Sequence, residues 1–396
     1  MPDLLNSADV LLADAARRHA ANARLREAGP VHLIALQSGE KGWLVTGHDA
    51  ARAALNDVRL QGRTATVGNG RNMPDELRRA MNSHMLNVGP PDHTRLRRLV
   101  SAAFTRRRME QMRPRIQRFT DDLLDATGTA DSADLIAALA LPLPLQVLTD
   151  LFGIPEEDSS AFHGWTNTLT SGALALDQLN AAAGQMIDYV RLLLDQKRRA
   201  PQPDLLSALV AVRDGEDRLN EDELTSMVFL LLTAGHETTV NLIGNGILTL
   251  LANPIELRRL RADPGLLPGA VEETLRYESP VQVALRFSTE PVELAGVLIP
   301  AGSTVLVSLL AANRDPGRFP DPDQVRLNRA DNAQLAFGYG YHHCIGAPLA
   351  RLEGVIAIGS LLARFPRLRL ARPPETLRWR NSMIMHGLSE LPVHLR

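Results

Sequence analysis

Apolar positions along the chain fall mostly into long helical periods. Runs with the 3.6-residue repeat cover roughly 93 to 126, 133 to 152, 176 to 199, 221 to 252, 265 to 278 and 347 to 364, several of them ended by Gly or Pro. Alternating stretches are few and gather toward the two ends. Val31-His-Leu-Ile-Ala-Leu and Gly42-Trp-Leu-Val-Thr flank the turn-like Gln37-Ser-Gly-Glu-Lys41, a hairpin pattern. Val292-Glu-Leu and Thr304-Val-Leu-Val-Ser read as strands, and the tail Leu377 to Leu395 alternates around Gly387. The expected class is mainly α with small peripheral β-sheets.

Within the 221 to 252 period, Met227-Val-Phe-Leu-Leu-Leu-Thr-Ala-Gly235 is apolar all round, which marks a buried helix. His236-Glu237-Thr238-Thr239 interrupts it, and ionisable groups at that point exclude a membrane span. A carboxylate in a soluble core needs a partner, water or a purpose. Gly235 costs about 1 kcal/mol relative to alanine inside a helix, so close packing on its backbone is expected; a small ligand over this turn would explain both features. His236-Glu237-Thr238-Thr239-Val240 also lacks the second histidine of a zinc-protease motif, so two imidazoles cannot meet one metal there.

Composition adds limits. With 43 basic and 45 acidic residues the net charge is −2, which gives no global field for nucleic acid or an acidic membrane surface. At 45% hydrophobic and 22% charged, the chain of 396 residues is ordinary globular material. Its Pro-containing stretches at 199–203 and 372–374 are short and there are no repeats, so one domain over 1–396 is expected. The first residues lack a basic stretch ahead of an apolar core, so a cytoplasmic, soluble protein is expected.

The single cysteine, Cys344, excludes intramolecular disulfides and sites built from several cysteine ligands. A free cysteine is commonly a small buried hydrophobe. Cys344 instead lies in Phe337-Gly-Tyr-Gly-Tyr-His-His-Cys-Ile-Gly346, where Gly338, Gly340 and Gly346 imply backbone conformations or approaches that a side chain would block. Such a loop can hold a thiolate against a large flat ligand. A cysteine hydrolase with His342 or His343 as base lacks any family signature around the cysteine. Farther back, Glu273 and Arg276 share a helix face that Pro280 ends and can pair.

Together these segments resemble the haem-thiolate cytochrome P450 monooxygenases of the bacterial soluble class. The resemblance rests on Phe337-Gly338-x-Gly340-x-His342-x-Cys344-x-Gly346, on Ala234-Gly235-x-Glu237-Thr238, on Glu273-x-x-Arg276 and on Asp315-Pro-Gly-Arg-Phe-Pro320. Gly89-Pro-Pro-Asp-His93-Thr-Arg-Leu-Arg97 is similar to the segment that meets the haem edge in that class. The likeness runs from about residue 30 to the end and implies the P450 fold. One departure is Gln334, where many bacterial members carry histidine.

The resemblance implies haem b with Cys344 as the iron ligand, its thiolate favouring O–O cleavage, and Phe337, Gly338 and Gly346 in the loop that holds it. Ala234 and Gly235 would leave a groove for dioxygen, and Thr238 with Glu237 would deliver protons, Glu237 connecting to solvent; Thr239 is structural. His93, Arg97, Arg286 and His342 would meet the haem propionates, and Glu273, Arg276 and Arg329 would brace the cysteine side. Nothing resembles an appended flavin or iron–sulfur domain. Electrons are therefore expected from NAD(P)H through a separate ferredoxin and ferredoxin reductase, docking near Arg106, Arg107 or Arg351.

By the same resemblance the substrate pocket draws on residues 60 to 88 and 163 to 184, the helix ahead of Ala234, Val281-Gln-Val-Ala-Leu285 and the turn Met383-Ile-Met-His386. These are largely small or aliphatic, and aromatics make up only 4% of the chain. A bulky lipophilic macrolide-, polyketide-, terpenoid- or steroid-like compound is expected, Met383 and Met385 serving either a variable pocket or plain core. The rival class is a haem-binding carrier or sensor, which would share Cys344 but have no use for Glu237 and Thr238.

Overall fold

The computed structural model describes residues 6–12, 15–36, 38–62, 74–170, 176–213 and 217–396. Contacts gather into two compact units. One holds Met1–Gln61, Ile116–Leu143 and Thr238–Arg396; the other holds Gly62–Arg115 and Pro144–Glu237.

The first unit carries the sheets. Val31–Ala35 and Lys41–Val45 form the expected antiparallel hairpin, with Leu33 opposite Trp43. Its second strand pairs in parallel with Thr304–Ser308, which pairs in turn with Val283–Ser288, and Leu60–Gly62 completes a five-stranded sheet. Val31, Val45, Val305 and Val307 bury one face against Ala51, Ala54 and Leu55 of the helix His48–Asn56, because β-branched side chains suit a pleated, half-covered surface. Val292–Leu294 and Val297–Ile299 form a two-stranded sheet across a tight turn with Ala295 and Gly296 at positive φ. Pro392–His394 lies between Ser132–Asp134 and Arg369–Leu370 in a third sheet.

The second unit is helical. Helices Ser159–Thr170, Leu176–Arg199 and Leu205–Arg213 pack together, joined near the end of the middle one by a buried Lys197–Asp204 pair at 2.5 Å. The long helix Glu221–Ala252 begins in this unit and ends in the other. Among the described residues no helix is long and apolar enough to cross a membrane.

Three periods match the structure to the residue: Leu176–Arg199, Glu221–Ala252 and Ala347–Arg364. The period from 93 to 126 is instead three helices, Asp92–Ala103, Arg106–Gln111 and Arg113–Thr127. Thr105 takes extended backbone and caps the second of them by accepting from the Arg108 amide. The period from 133 to 152 opens with the strand Ser132–Asp134 and a π-helical turn Ile136–Ala140 before Pro142–Phe152.

Candidate functional site

The cysteine loop is tied to itself and to the sheet unit by backbone geometry. The Gly338 amide donates to the Leu335 carbonyl at 2.8 Å and the Cys344 amide to the Phe337 carbonyl at 2.8 Å, folding the thiol back over the loop's start. Gly338 and Gly340 sit at φ +72° and +71°, where a side chain is strained. A Cβ on Gly340 would also stand 2.5 Å from Asn56 Oδ1 of the helix His48–Asn56. Gly346 differs: its φ is −80° and an added Cβ would lie 3.7 Å from Cys344 Sγ, so the backbone does not demand glycine there. Cys344 itself is exposed, unlike the buried hydrophobe that a free cysteine usually is.

Arg351, one turn into the following helix Ala347–Arg364, stacks over the Phe337 ring at 4.5 Å and binds Glu272 at 2.5 and 3.1 Å. Gln334 spans the same region, its amide donating to Glu272 at 3.1 Å and its oxygen accepting from the Ala336 amide at 2.6 Å. An uncharged amide thus occupies the position where many bacterial members carry histidine. Behind them Glu273 receives Arg276 and Arg329, as the triad expectation requires.

Arg286 supplies the test of whether this site suits a haem. It projects from Val283–Ser288, is 5% exposed, and among the described residues donates only to the neighbouring Leu285 carbonyl at 2.9 Å. Its Nε is buried with no hydrogen-bond partner, and no carboxylate pairs with it among the described residues. Burial lowers its pKa, with only the Tyr341 hydroxyl acting the other way. Tyr341 belongs to the cysteine loop and its ring lies 4.3 Å from that of His342. A desolvated guanidinium without an anion is costly, so this cation beside the thiol loop fits a bound group that brings its own carboxylates.

The long helix Glu221–Ala252 has a local window in an otherwise buried surface. Ala234 is exposed and Gly235 and Thr238 are half-buried, one face by their spacing of three and four, whereas His236, Glu237 and Thr239 are buried. Gly235 has a packing reason of its own: a Cβ there would meet Leu148 Cδ2 at 3.2 Å. The close approach expected at this glycine therefore involves a core leucine of the same unit.

His93 and Arg97 lie one turn apart on Asp92–Ala103 in the helical unit. His93 is 1% exposed, and burial followed by the charge of Arg97 lowers its pKa to about 4. It is therefore a neutral imidazole near pH 7. The structure thus brings Phe337, Gly338, His342, Cys344 and Gly346 into one loop with Arg286 beside it, Ala234, Gly235, Glu237 and Thr238 onto one helix, and His93 with Arg97 onto another. Of the expected pocket segments, residues 63–73 and 171–175 lie outside the described residues.

Asn241 and Asn245 escaped the sequence reading, although three and seven residues after Thr238 they continue its face of the helix. Asn245 donates to the Glu278 and His386 carbonyls at 3.0 and 2.9 Å. Glu353 also escaped it; this carboxyl is 2% exposed on Ala347–Arg364, and burial raises its pKa to about 8.

A family profile described as Cytochrome P450 matches residues 163–386. The chain is 49% identical to Cytochrome P450 107B1 of Saccharopolyspora erythraea, covering 99% of this chain and 98% of that one. It is 42% identical to the 6-deoxyerythronolide B hydroxylase of the same organism, covering 94% and 95%. The tirandamycin C-bound structure of the P450 monooxygenase TamI superposes with a TM-score of 0.89 at 44% identity, over 99% of this chain and 100% of that one. Identity of this order across nearly the whole length reaches well beyond a shared fold: the chain belongs to the cytochrome P450 family.

Proposed function

We propose that this haem monooxygenase inserts one oxygen atom from O2 into a bulky lipophilic natural product of macrolide or polyketide type, by hydroxylation or epoxidation. The observation that carries the oxygenase reading is the window at Ala234, Gly235 and Thr238, cut into a helix that is otherwise buried and backed by the buried Glu237. A carrier or sensor has no use for an alcohol and an acid at that place. The substrate class is supported by the relatives named for 6-deoxyerythronolide B and tirandamycin C.

Cys344 would hold the haem iron, and Arg286, Arg97, His93 and His342 would meet the propionates. The bound haem would supply reductive activation of dioxygen. Thr238 presents its hydroxyl as a proton donor at Oγ1, and Glu237 recharges it from the solvent side. Leu230, Leu231 and Val240 of the same helix are buried. Residues 1–396 act as one functional domain in this reading.

Electrons arrive from NAD(P)H through a separate ferredoxin and its reductase. Arg106 and Arg107 are exposed on Arg106–Gln111 and suit an acidic partner. Arg351, engaged by Glu272 and Phe337, serves as a brace for the loop.

Turnover of 6-deoxyerythronolide B with surrogate redox partners tests the reading. Wild type forms oxygenated product, and Thr238→Ala diverts most reducing equivalents to hydrogen peroxide. Equal coupling in both would defeat the proton-delivery role. The reduced, CO-bound protein should show the red-shifted Soret band of thiolate ligation, and Cys344→Ala should lose it.

A further inference from the structure

Beneath the turn Met383–His386 lies a buried cluster that the reaction does not use. His386 is 0% exposed, with Nδ1 2.5 Å from Arg18 NH1 and Nε2 2.5 Å from Glu278 Oε2. Arginine can only donate and a carboxylate only accept, so the imidazole is neutral and protonated on Nε2. Burial lowers the His386 pKa to about 4 and outweighs Glu278. His19 joins Glu278 at 3.1 Å, and Arg314 donates to the same carboxylate at 3.0 Å. Burial would raise the Glu278 pKa, but its imidazole and guanidinium partners hold it well below the ordinary value. Trp379 stacks on the far face of His386 at 4.2 Å.

A metal is the first reading to weigh, since ligand atoms of His19, Glu278 and His386 all lie within 4.8 Å of one another. Two observations oppose it. Arg18 and Arg314 already place two positive charges on the cluster. A metal-bound imidazole also keeps an N–H on its other nitrogen for an acceptor, whereas Nδ1 of His386 faces a donor.

What the cluster does follows from what it touches. The His386 carbonyl accepts from Asn245, two helical turns or about 10 Å along from Thr238 on the same face. Next in the chain, Gly387 packs so tightly on Asn241 that any Cβ would collide with its amide. The His386 amide donates to the Pro280 carbonyl at 2.8 Å, and Ile384 accepts from the Gln282 amide at 2.8 Å. The turn is therefore seated on the Thr238-bearing helix face at its floor and on residues 280–282 at its side. Buried ionic groups add little net stability, and in some proteins they select one arrangement among several.

We propose that Arg18 and His19, with Glu278, Arg314 and His386, form a positioning network by which the N-terminal helix Ala15–Ala28 fixes the Met383–Met385 turn relative to Thr238. The network thereby helps set how substrate is held. The inference rests on the reading that this turn walls the substrate pocket. Arg18 and His386 are positioning residues here, since they act through the turn.

The test uses the holoenzyme with Arg18→Met and, as a milder change that keeps the charge but not the planar fork, Arg18→Lys. Glu278 keeps Arg314 in both, so no carboxylate is stranded. Hydrogen exchange of the 380–388 peptide should quicken about tenfold in Arg18→Met, less in Arg18→Lys, with residues 238–252 unchanged. The ratio of dissociation constants for 6-deoxyerythronolide B and tirandamycin C, read from the haem spectrum, should shift about fivefold. Exchange and ratio both within about twofold of wild type overturn the network. Met385→Ala separates the two claims: an altered ratio there with none in Arg18→Met refutes the network alone, and an unaltered ratio in Met385→Ala refutes the pocket reading and the network with it.

Discussion

Arg276 donates two hydrogen bonds of 2.8 Å to the carboxylate of Glu273, and neither side chain has any exposed surface. The remaining guanidinium hydrogens reach the Asn313, Pro322 and Gln324 carbonyls, and Arg329 approaches Glu273 from the other side at 3.2 Å. Every charge here is matched by its neighbours. Glu273→Ala would leave two arginines facing each other without an anion, a loss of about 3–5 kcal/mol. Urea unfolding of the variant should show it, and Arg276→Lys should also lose stability because a lysine cannot make the bidentate pair.

Gly340 faces two separate obstacles to substitution, a φ of +71° and the Asn56 side chain. Gly340→Ala should therefore lower the melting temperature and weaken haem retention, at a cost of about 1–2 kcal/mol from the backbone alone. Adding Asn56→Gly removes the side-chain collision and leaves the dihedral cost together with a tight 3.0 Å approach to the backbone Cα of residue 56. The double variant is expected to recover part of the loss; full recovery in a thermal scan would mean that the backbone term is absent.

Arg286 is a buried cation that pairs with no carboxylate among the described residues. Its removal should have opposite effects on two quantities. Arg286→Met should leave the haem-free protein as stable or more stable, while haem leaves about ten- to a hundred-fold faster for the loss of one charged hydrogen bond of about 1.5–3 kcal/mol. Haem transfer to an apoglobin measures the rate; an unchanged rate would remove Arg286 from the propionate contacts.

Glu353 gives the enzyme a pH dependence of known sign. Its folded pKa is raised to about 8 from 4.5 by burial alone. The folded protein thus binds a proton that the unfolded chain releases. The contribution is intact below about pH 4.5 and is lost as pH rises through about 8. Melting temperature should fall across that interval, and Glu353→Gln, which cannot ionise, should flatten the fall and exceed wild type at pH 8. Parallel curves for the two proteins would show that the carboxyl is ionised in the fold.

Legibility in the sequence followed the chemistry of each segment. Leu176–Arg199 and Glu221–Ala252 end ahead of Pro201 and Pro254, and Ala347–Arg364 starts behind Gly346 with Pro348 in its first turn, so their limits are written in residue types. Phe337–Gly346 is legible because its glycines are needed for dihedral reasons at two places. Val283–Ser288 is not, since its burial runs irregularly along the strand instead of alternating. The helix Ala15–Ala28 is hidden for a different reason: Arg18 and Asn22 are buried at 1% and 2%, so its inward face is polar and looks like a solvent face. The network around His386 shares that disguise. Its members lie far apart in sequence and become neighbours only through the fold.

The central sheet also dictates a timetable. Thr304–Ser308 is the strand that joins the N-terminal hairpin to Val283–Ser288, and it is synthesised roughly 260 residues after Lys41–Val45. At about 5–20 residues per second this interval lasts on the order of tens of seconds. During it a two-stranded hairpin, marginal on its own in water, carries an open edge. The nascent chain must therefore be shielded there until its last third emerges, and the sheet beside the thiol loop closes only when synthesis is nearly done.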